Sequence, residues 1–419
     1  MDLFEIENET RLGKYYNQEN MNLLIFNCGS SSQSFKLYQI KPDNSRSVIA
    51  SGKAHNIQMQ TNTSASLNIT IHGVTRSLPL AESTHPAAAS AILASLLPEL
   101  AADEKIDAIG HRFVHGGGKF ERTTFIDDSA LNLLRSCLHI APIHNPNSYS
   151  VIETCRALLP NTPQFAVFDT AFHASLPDAA VRYAIPQKLT AAGYRKFGFH
   201  GLSYQFITGK MADLLQKPAD QLKLVICHLG TGGSSVCAIQ NGKSVDTSMG
   251  YSPIAGLIMS TRSGDVDPEI ILELVRHGQS ADEIDNMLNF ESGLLALSGY
   301  SSNLYEIITA AQAGNSDCRL AFEAYCLRLS HYIGAFLWQL DGADALVFTD
   351  EIGTGCPEVR EAVCANRQFF GIRLDQTLNQ NAPPSSPCCI SQDDSSVQIW
   401  SVPTDEEAVI VDEILKLLS

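Results

Sequence analysis

Two apolar runs in this 419-residue chain, Leu23 to Phe26 and Leu222 to Ile226, each break into a small-residue loop and then resume as a second strand. The loops are Asn27-Cys28-Gly29-Ser30-Ser31-Ser32 and His228-Leu229-Gly230-Thr231-Gly232-Gly233-Ser234-Ser235; the strands resume at Phe35 to Ile40 and Val236 to Ile239. A buried strand that breaks this way makes a hairpin whose backbone N–H groups and hydroxyls can wrap a phosphate. One such turn is weak, because most Gly/Ser turns between strands are plain hairpins. A pair about 200 residues apart implies two related halves closing on one phosphoryl group.

Charge and composition narrow the partners. A net charge of −16 argues against nucleic acid or an anionic membrane, and leaves room for a small anionic substrate held by a few local Arg and His residues. A hydrophobic fraction of 44% and a charged fraction of 18% are those of a soluble globular protein. No run approaches the roughly 18 apolar residues of a membrane span. The N-terminal MDLFEIENETRLGKYYNQEN is acidic and polar, unlike a signal peptide, so a cytoplasmic protein is expected. The 11 cysteines are odd in number and include no CxxC pair, which reads as buried small hydrophobes. Cys28 is expected to pack rather than react.

Residues 1–20 read as an extension, with Met21 opening the first strand. A strand-rich stretch to about residue 80 is followed by helix 86–100, strand 108–111, helices 129–137 and 148–158, and strand 164–168, an α/β alternation with a mixed sheet. A second series has a hairpin opening at Leu222, helices 268–276, 281–290 and 317–340, strand 345–348, helix 357–365 and a Pro/Ser/Asn-rich surface loop over 379–394 that holds Cys388 and Cys389. The last helix, 405–418, follows Thr404 as N-cap with Glu407 three residues on.

Three further clusters put Arg or His beside Gly: His111-Arg112-Phe113-Val114-His115-Gly116-Gly117-Gly118, Phe199-His200-Gly201 and Thr261-Arg262-Ser263-Gly264-Asp265. Glycine admits close backbone approach while a guanidinium donates paired hydrogen bonds, which suits an anionic transition state. Phe168-Asp169-Thr170 adds an Asp at a strand C-terminus, the usual site edge in α/β sheets. His144 reads as a hydrogen-bonded structural histidine.

With these blocks in order, the chain resembles the acetate kinases, of the acetate and sugar kinase/Hsp70/actin superfamily, from Met21 to the C-terminus. The matching stretches include NCGSSS (27–32), HRFVHGG (111–117), APIHNP (141–146), FDTAFH (168–173), FGFHG (197–201), HLG (228–230), TRSGDVDP (261–268) and PTDEE (403–407). The resemblance implies an α/β fold of two actin-like (ribonuclease H-like) domains with a cleft between them, 21–170 plus 404–419 and 171–403, and a homodimer. It assigns Asp169, His200 and Arg262 to catalysis and Arg112 to the substrate carboxylate. Val114, Ile143, Phe199 and Pro253 fall to the acyl methyl. Ser30, Ser32, His228, Gly230, Thr231, Gly232 and Gly233 fall to phosphate, and Asn27 and Glu406 to Mg2+. Acetate is ionised at pH 7, so it needs no general base; Asp169 is then an orienting group or outer magnesium ligand rather than a proton acceptor.

The chain departs from the family pattern where nucleotide is held. Ser34 stands for a usual Lys, Thr231 for Asn, and Asn303-Leu304-Tyr305 for Asp-Met-Arg or Asp-Val-Arg. The usual adenosine loop Gly-Gly-Ile-Gly-Glu-Asn is Asp350-Glu351-Ile352-Gly353-Thr354-Gly355. Acyl and phosphoryl residues are kept while adenosine residues are lost, which resembles the pyrophosphate-linked branch. The reaction expected is acetyl phosphate plus phosphate to acetate plus diphosphate. An ATP-dependent acetate or propionate kinase is the alternative. A nucleotide-gated switch of the actin or Hsp70 kind is disfavoured, because it has no need for Arg112, Arg262, His200 and an acyl pocket.

Overall fold

The computed structural model describes residues 20–57, 65–101 and 103–418, so all of the expected extension but Asn20 lies outside the described residues. The chain divides into two compact units, one running to Ala171 and adding Glu406–Ser419, the other Phe172–Asp405. Each is built on its own mixed sheet, as an α/β chain requires.

In the first unit the strands are β1 (Met21–Cys28), β2 (Gln33–Ile40), β3 (Arg46–His55), β4 (Ser66–Ile71), β5 (Val74–Pro79), β6 (Ala108–Phe113), β7 (Thr124–Phe125) and β8 (Gln164–Phe168), in sheet order β5-β4-β3-β2-β1-β6-β8-β7. β1 pairs antiparallel with β2 and parallel with β6, which pairs parallel with β8. Leu23, Leu24, Ile25 and Phe26 are all fully buried, as a central strand covered on both faces demands. One cover is the C-terminal helix Glu406–Leu418: any side chain at Gly110 of β6 would come within 2.6–2.8 Å of Ile25, Ile410 and Ile414. Close packing there explains why the chain's last helix belongs to its first unit.

The second unit repeats the plan with β9 (Lys223–Leu229), β10 (Ser234–Gln240), β11 (Lys243–Thr247), β12 (Ala345–Thr349), β13 (Cys388–Cys389) and β14 (Gln398–Ser401), ordered β11-β10-β9-β12-β14-β13. Here three antiparallel strands, against five in the first unit, adjoin the parallel ones, β9 beside β12 beside β14. The loops singled out in the sequence are the β1–β2 and β9–β10 turns, equivalent positions at the C-terminal ends of the two central strands.

Three expectations are corrected. Helix Gly201–Leu215 was not foreseen: Gly201, Leu202, Ser203 and Tyr204 are all buried, so no single apolar stripe marks it. The expected 379–394 loop holds the end of helix Gln376–Asn381 and strand β13, which pairs antiparallel with β14, the next element of the chain. The Thr404–Glu407 cap is absent: among the described residues the Thr404 hydroxyl has no hydrogen-bond partner, and Glu407 instead accepts from Ser34 Oγ at 2.8 Å and pairs with Lys36 at 3.6 Å.

Ile410 is fully buried. Ile410→Ala is expected to cost about 2–5 kcal/mol, read as a lower denaturation midpoint, because neighbouring strands cannot collapse into the void.

Candidate active site

Three adjacent parallel strands gather the first cluster. Asn27 lies near the end of β1, Arg112 near the end of β6, Asp169 just after β8, and Glu406 begins the helix that covers them. Arg112 forks onto Asp169, Nε to Oδ1 at 2.8 Å and Nη2 to Oδ2 at 2.5 Å. Its Nη1 donates to Asn27 Oδ1 at 3.0 Å and lies 3.3 Å from Glu406 Oε2, to which Asn27 Nδ2 also donates at 3.2 Å. Burial works against the Arg112 charge, but Asp169 and then Glu406 outweigh it and raise its pKa. Burial likewise works against the Glu407 carboxylate, and Lys36 and Ser34 overcome it, leaving its pKa lowered.

Nothing in this cluster positions Asp169 as a base, since both its oxygens are engaged by a guanidinium. Two carboxylates facing one guanidinium leave an excess negative charge among oxygen donors, and that donor set suits a hard divalent cation. Among the described residues no group of three or more His, Cys, Asp or Glu could hold a metal by itself. Asn27 and Glu406 would therefore hold Mg2+ only together with substrate oxygens and water.

The first loop is closed by Gly29 N donating to Ser32 O at 2.8 Å, with Ser30 exposed at its tip. Val114 is buried and Ile143 half-buried in this unit; Phe199, buried, and Pro253, half-buried, belong to the other. His173 holds Phe199 in place, Nε2 meeting the Phe199 carbonyl at 2.9 Å and Nδ1 the Ser244 hydroxyl at 2.8 Å.

The second cluster surrounds the β9–β10 turn. His200 has a left-handed backbone, φ 58°, and caps helix Gly201–Leu215. A non-glycine residue in that conformation is held by its surroundings, and such strain gathers at functional sites. Its ring stacks on that of His228 with centroids 4.1 Å apart. His200 Nδ1 lies 2.7 Å from Ser235 Oγ; His228 Nδ1 lies 2.9 Å from Ser203 Oγ, and its Nε2 lies 3.2 Å from Asp350.

Arg262 is delivered by a loop that packs against Gly293. At φ 63° this glycine would put a Cβ 2.2 Å from Met259 O and 2.7 Å from Arg262 O, so only glycine fits. Arg262 Nη1 and His200 Nε2 both lie 3.4 Å from where a Gly233 Cβ would sit, so a guanidinium and an imidazole converge over the bare backbone of the loop. Among the described residues the Arg262 guanidinium has no carboxylate or hydrogen-bond partner, and burial alone lowers its pKa. A desolvated cation without a counter-charge is costly, and its complement is an anion.

Beside this point the chain is acidic. Thr231 Oγ1 donates to Glu351 at 2.5 Å, Tyr305 OH donates to the Glu351 carbonyl at 3.0 Å, and an Asp350 oxygen lies 2.3 Å from where a Gly230 Cβ would be. Ser260 closes the turn by donating to the Thr231 carbonyl. Gly232 is exposed. Asn303 caps helix Leu304–Gln312 by accepting from Tyr305 N at 3.0 Å. Sequence reasoning missed Ser203, Tyr204 and Ser235 as supports of the two histidines; their signal was position, Ser203 and Tyr204 lying three and four residues beyond His200 on the helix it caps.

Residues 22–412 match the model of the acetokinase family. The acetate kinase of Natranaerobius thermophilus is 40% identical over 404 residues, covering 95% of this chain and all of that protein. The crystal structure of acetate kinase from Entamoeba histolytica superposes with a TM-score of 0.84 at 38% identity, over 94% of this chain and 99% of that one. A propionate kinase from Francisella tularensis does so at 0.84 and 34% identity, over 94% and 98%.

Cys28, beside Arg112, is pushed up to about 12 by burial. Native protein treated with iodoacetamide at about pH 8, well below that value, is expected to keep Cys28 unmodified while the half-exposed Cys388 and Cys389 react first. Peptide mass spectrometry checks the order.

Proposed function

The chain belongs to the acetokinase family, and from that membership we propose that it catalyses reversible phosphoryl transfer to the carboxylate of acetate. The observation that carries this reading is the half-buried Arg262, without a hydrogen-bond or carboxylate partner among the described residues, converging with His200 Nε2 over Gly233. Two anions must be brought in line while charge spreads over the equatorial oxygens of the transferring group. In this proposal Arg262 neutralises that charge, His200 donates to an equatorial oxygen, and the Gly230 to Gly233 backbone cradles the donor phosphate. Arg112, oriented by Asp169, holds the acetate carboxylate. Val114, Ile143, Phe199 and Pro253 take its methyl group. Mg2+ at Asn27 and Glu406 would supply positive charge to the donor oxygens. His228, already engaged by Ser203 and Asp350, supports His200 from behind. The acceptor carboxylate is already ionised, so no side chain need remove a proton.

The relatives are named plainly as acetate and propionate kinases, which supports the ordinary ATP-linked reaction as the first reading of the donor. A cavity of about 530 Å³ flanked by Tyr300 and Tyr305 would serve it. A second reading, diphosphate as donor, rests on the tied wall of Asp350, Glu351 and Thr231. That wall adds bulk and negative charge where the family resemblance puts adenosine, while leaving Gly233 and Arg262 as they are. Assembly as a homodimer is proposed from the resemblance alone. No helix among the described residues is long and apolar enough to cross a membrane.

A donor panel decides: ATP, GTP and diphosphate with acetate, and ADP and phosphate with acetyl phosphate. ATP turnover matching or exceeding diphosphate turnover establishes the first reading, and the converse the second. Turnover with none of them ends the kinase proposal.

Arg262→Ala is expected to lower kcat by about a hundredfold or more with an unchanged circular dichroism spectrum, since it removes a charged donor from a developing polyanion. Propionate is expected to be a poorer substrate rather than a rejected one, because a methylene is worth only about 1–3 kcal/mol. Val114→Ala should narrow the acetate-to-propionate gap, chiefly through KM.

A further inference from the structure

The two hydroxyls behind His200 Nδ1 fix how their protons are shared with the ring. Its Nδ1 lies 2.7 Å from Ser235 Oγ, and Ser235 Oγ lies 2.5 Å from the hydroxyl of Tyr204. Ser235 and Tyr204 are fully buried. Burial pushes the Tyr204 phenol far above its ordinary value, so it keeps its proton. Among the described residues Ser235 is the one hydrogen-bond partner of the Tyr204 hydroxyl. That proton must therefore go to Ser235 Oγ, or remain a buried donor without an acceptor at a cost of about 1–3 kcal/mol. Ser235 has a single proton of its own, and the contact left for it is His200 Nδ1. Were Nδ1 protonated instead, two donors would point at Ser235 Oγ and the serine proton would have no acceptor.

We propose that Tyr204 and Ser235 are positioning residues that fix His200 as the Nε2–H tautomer, so that the ring offers its N–H at the point over Gly233 where Arg262 converges. This rests on the phosphoryl-transfer reading and deepens it, because it says which proton His200 presents to the transferring group. The neighbouring histidine follows the same logic. Asp350 can only accept from His228 Nε2, so Nδ1 of His228 accepts from Ser203. Both rings are thus oriented by a serine at Nδ1; the N–H of His228 goes to Asp350, and His200 Nε2 lies beside Gly233. The two serines come from different places, Ser203 from the helix that His200 caps and Ser235 from β10, directly across from His228 in the sheet. His228 is therefore oriented by the helix that His200 caps, and His200 by the strand paired with the one that carries His228.

The test uses the full chain labelled with 15N-histidine. Long-range proton–nitrogen correlation spectra are recorded at a pH where the ring is neutral, and His200 is assigned from its loss in His200→Gln. Wild type is expected to show Nε2 protonated and Nδ1 bare. Ser235→Ala should show a mixture of tautomers and a kcat lowered by about tenfold or more, with KM for acetate little changed, since a donor made only in the transition state is lost. Ser235→Thr, which keeps the hydroxyl, should restore both. A wild-type His200 protonated on Nδ1 overturns the proposal, as does a Ser235→Ala protein that loses activity with its tautomer unchanged, or changes tautomer with full activity. Failure of the phosphoryl-transfer reading would appear separately, as a wild type inert toward acetate and acetyl phosphate, with the tautomer still readable in the spectrum.

Discussion

β1 and β9 are buried on both faces, so neither can carry a solvated polar group along its length, and the chain can offer hydrogen-bonding atoms only where these strands stop. Parallel pairing extends the constraint to their neighbours. β6 and β8 end beside β1, and β12 ends beside β9. Asn27, Arg112 and Asp169 in one unit, and His228 and Asp350 in the other, are all residues at or just past such ends. Glu406 arrives at the start of the covering helix, and His200 and Arg262 each arrive on a backbone turn that needs an unusual conformation, a left-handed His200 and a left-handed Gly293.

The two clusters differ in charge balance. Arg112 is answered by two carboxylates and is held charged and rigid, whereas Arg262 is desolvated with no answering group among the described residues. A paired guanidinium is pre-oriented; an unpaired one gains most when an anion enters. Removing Asp169 would free Arg112 to move, while removing Arg262 would leave the second loop with backbone and one imidazole against a polyanion.

Elements with strong local chemistry were legible in the sequence. Helix Pro268–Arg276 has Asp267 as N-cap and proline in its first turn, and helix Ala281–Phe290 has a full Ser280–Glu283 capping box, so both were bounded correctly. Strand Gln164–Phe168 is a short apolar run with no competing reading. Helix Gly201–Leu215 lacks a side-chain cap and buries residues on several faces, so neither period nor punctuation announced it. β13 is two residues long and owes its existence to pairing with β14. In the site, glycine neighbours drew attention to Arg112, His200 and Arg262. Ser235 ends a Gly/Ser loop and Tyr204 lies between Ser203 and Gln205, so nothing local links the two, and only the folded chain shows their hydroxyls in contact.

Asp350 shows how the residues that depart from the family pattern are held together. It occupies a left-handed backbone, φ 66°, where the resembling family has glycine. An Asp tolerates that region better than most residues, but still at a cost that glycine avoids. What offsets the cost is visible: its carboxylate meets His228 Nε2 and lies against Gly230, which has no side chain to obstruct it. The next residue ties Thr231 and is itself held by Tyr305. Four of the departures from the family pattern, Thr231, Tyr305, Asp350 and Glu351, are therefore one connected structure. A change at any one of these positions would therefore be felt at the others, through the Thr231–Glu351 and Tyr305–Glu351 bonds and the chain that joins Asp350 to Glu351.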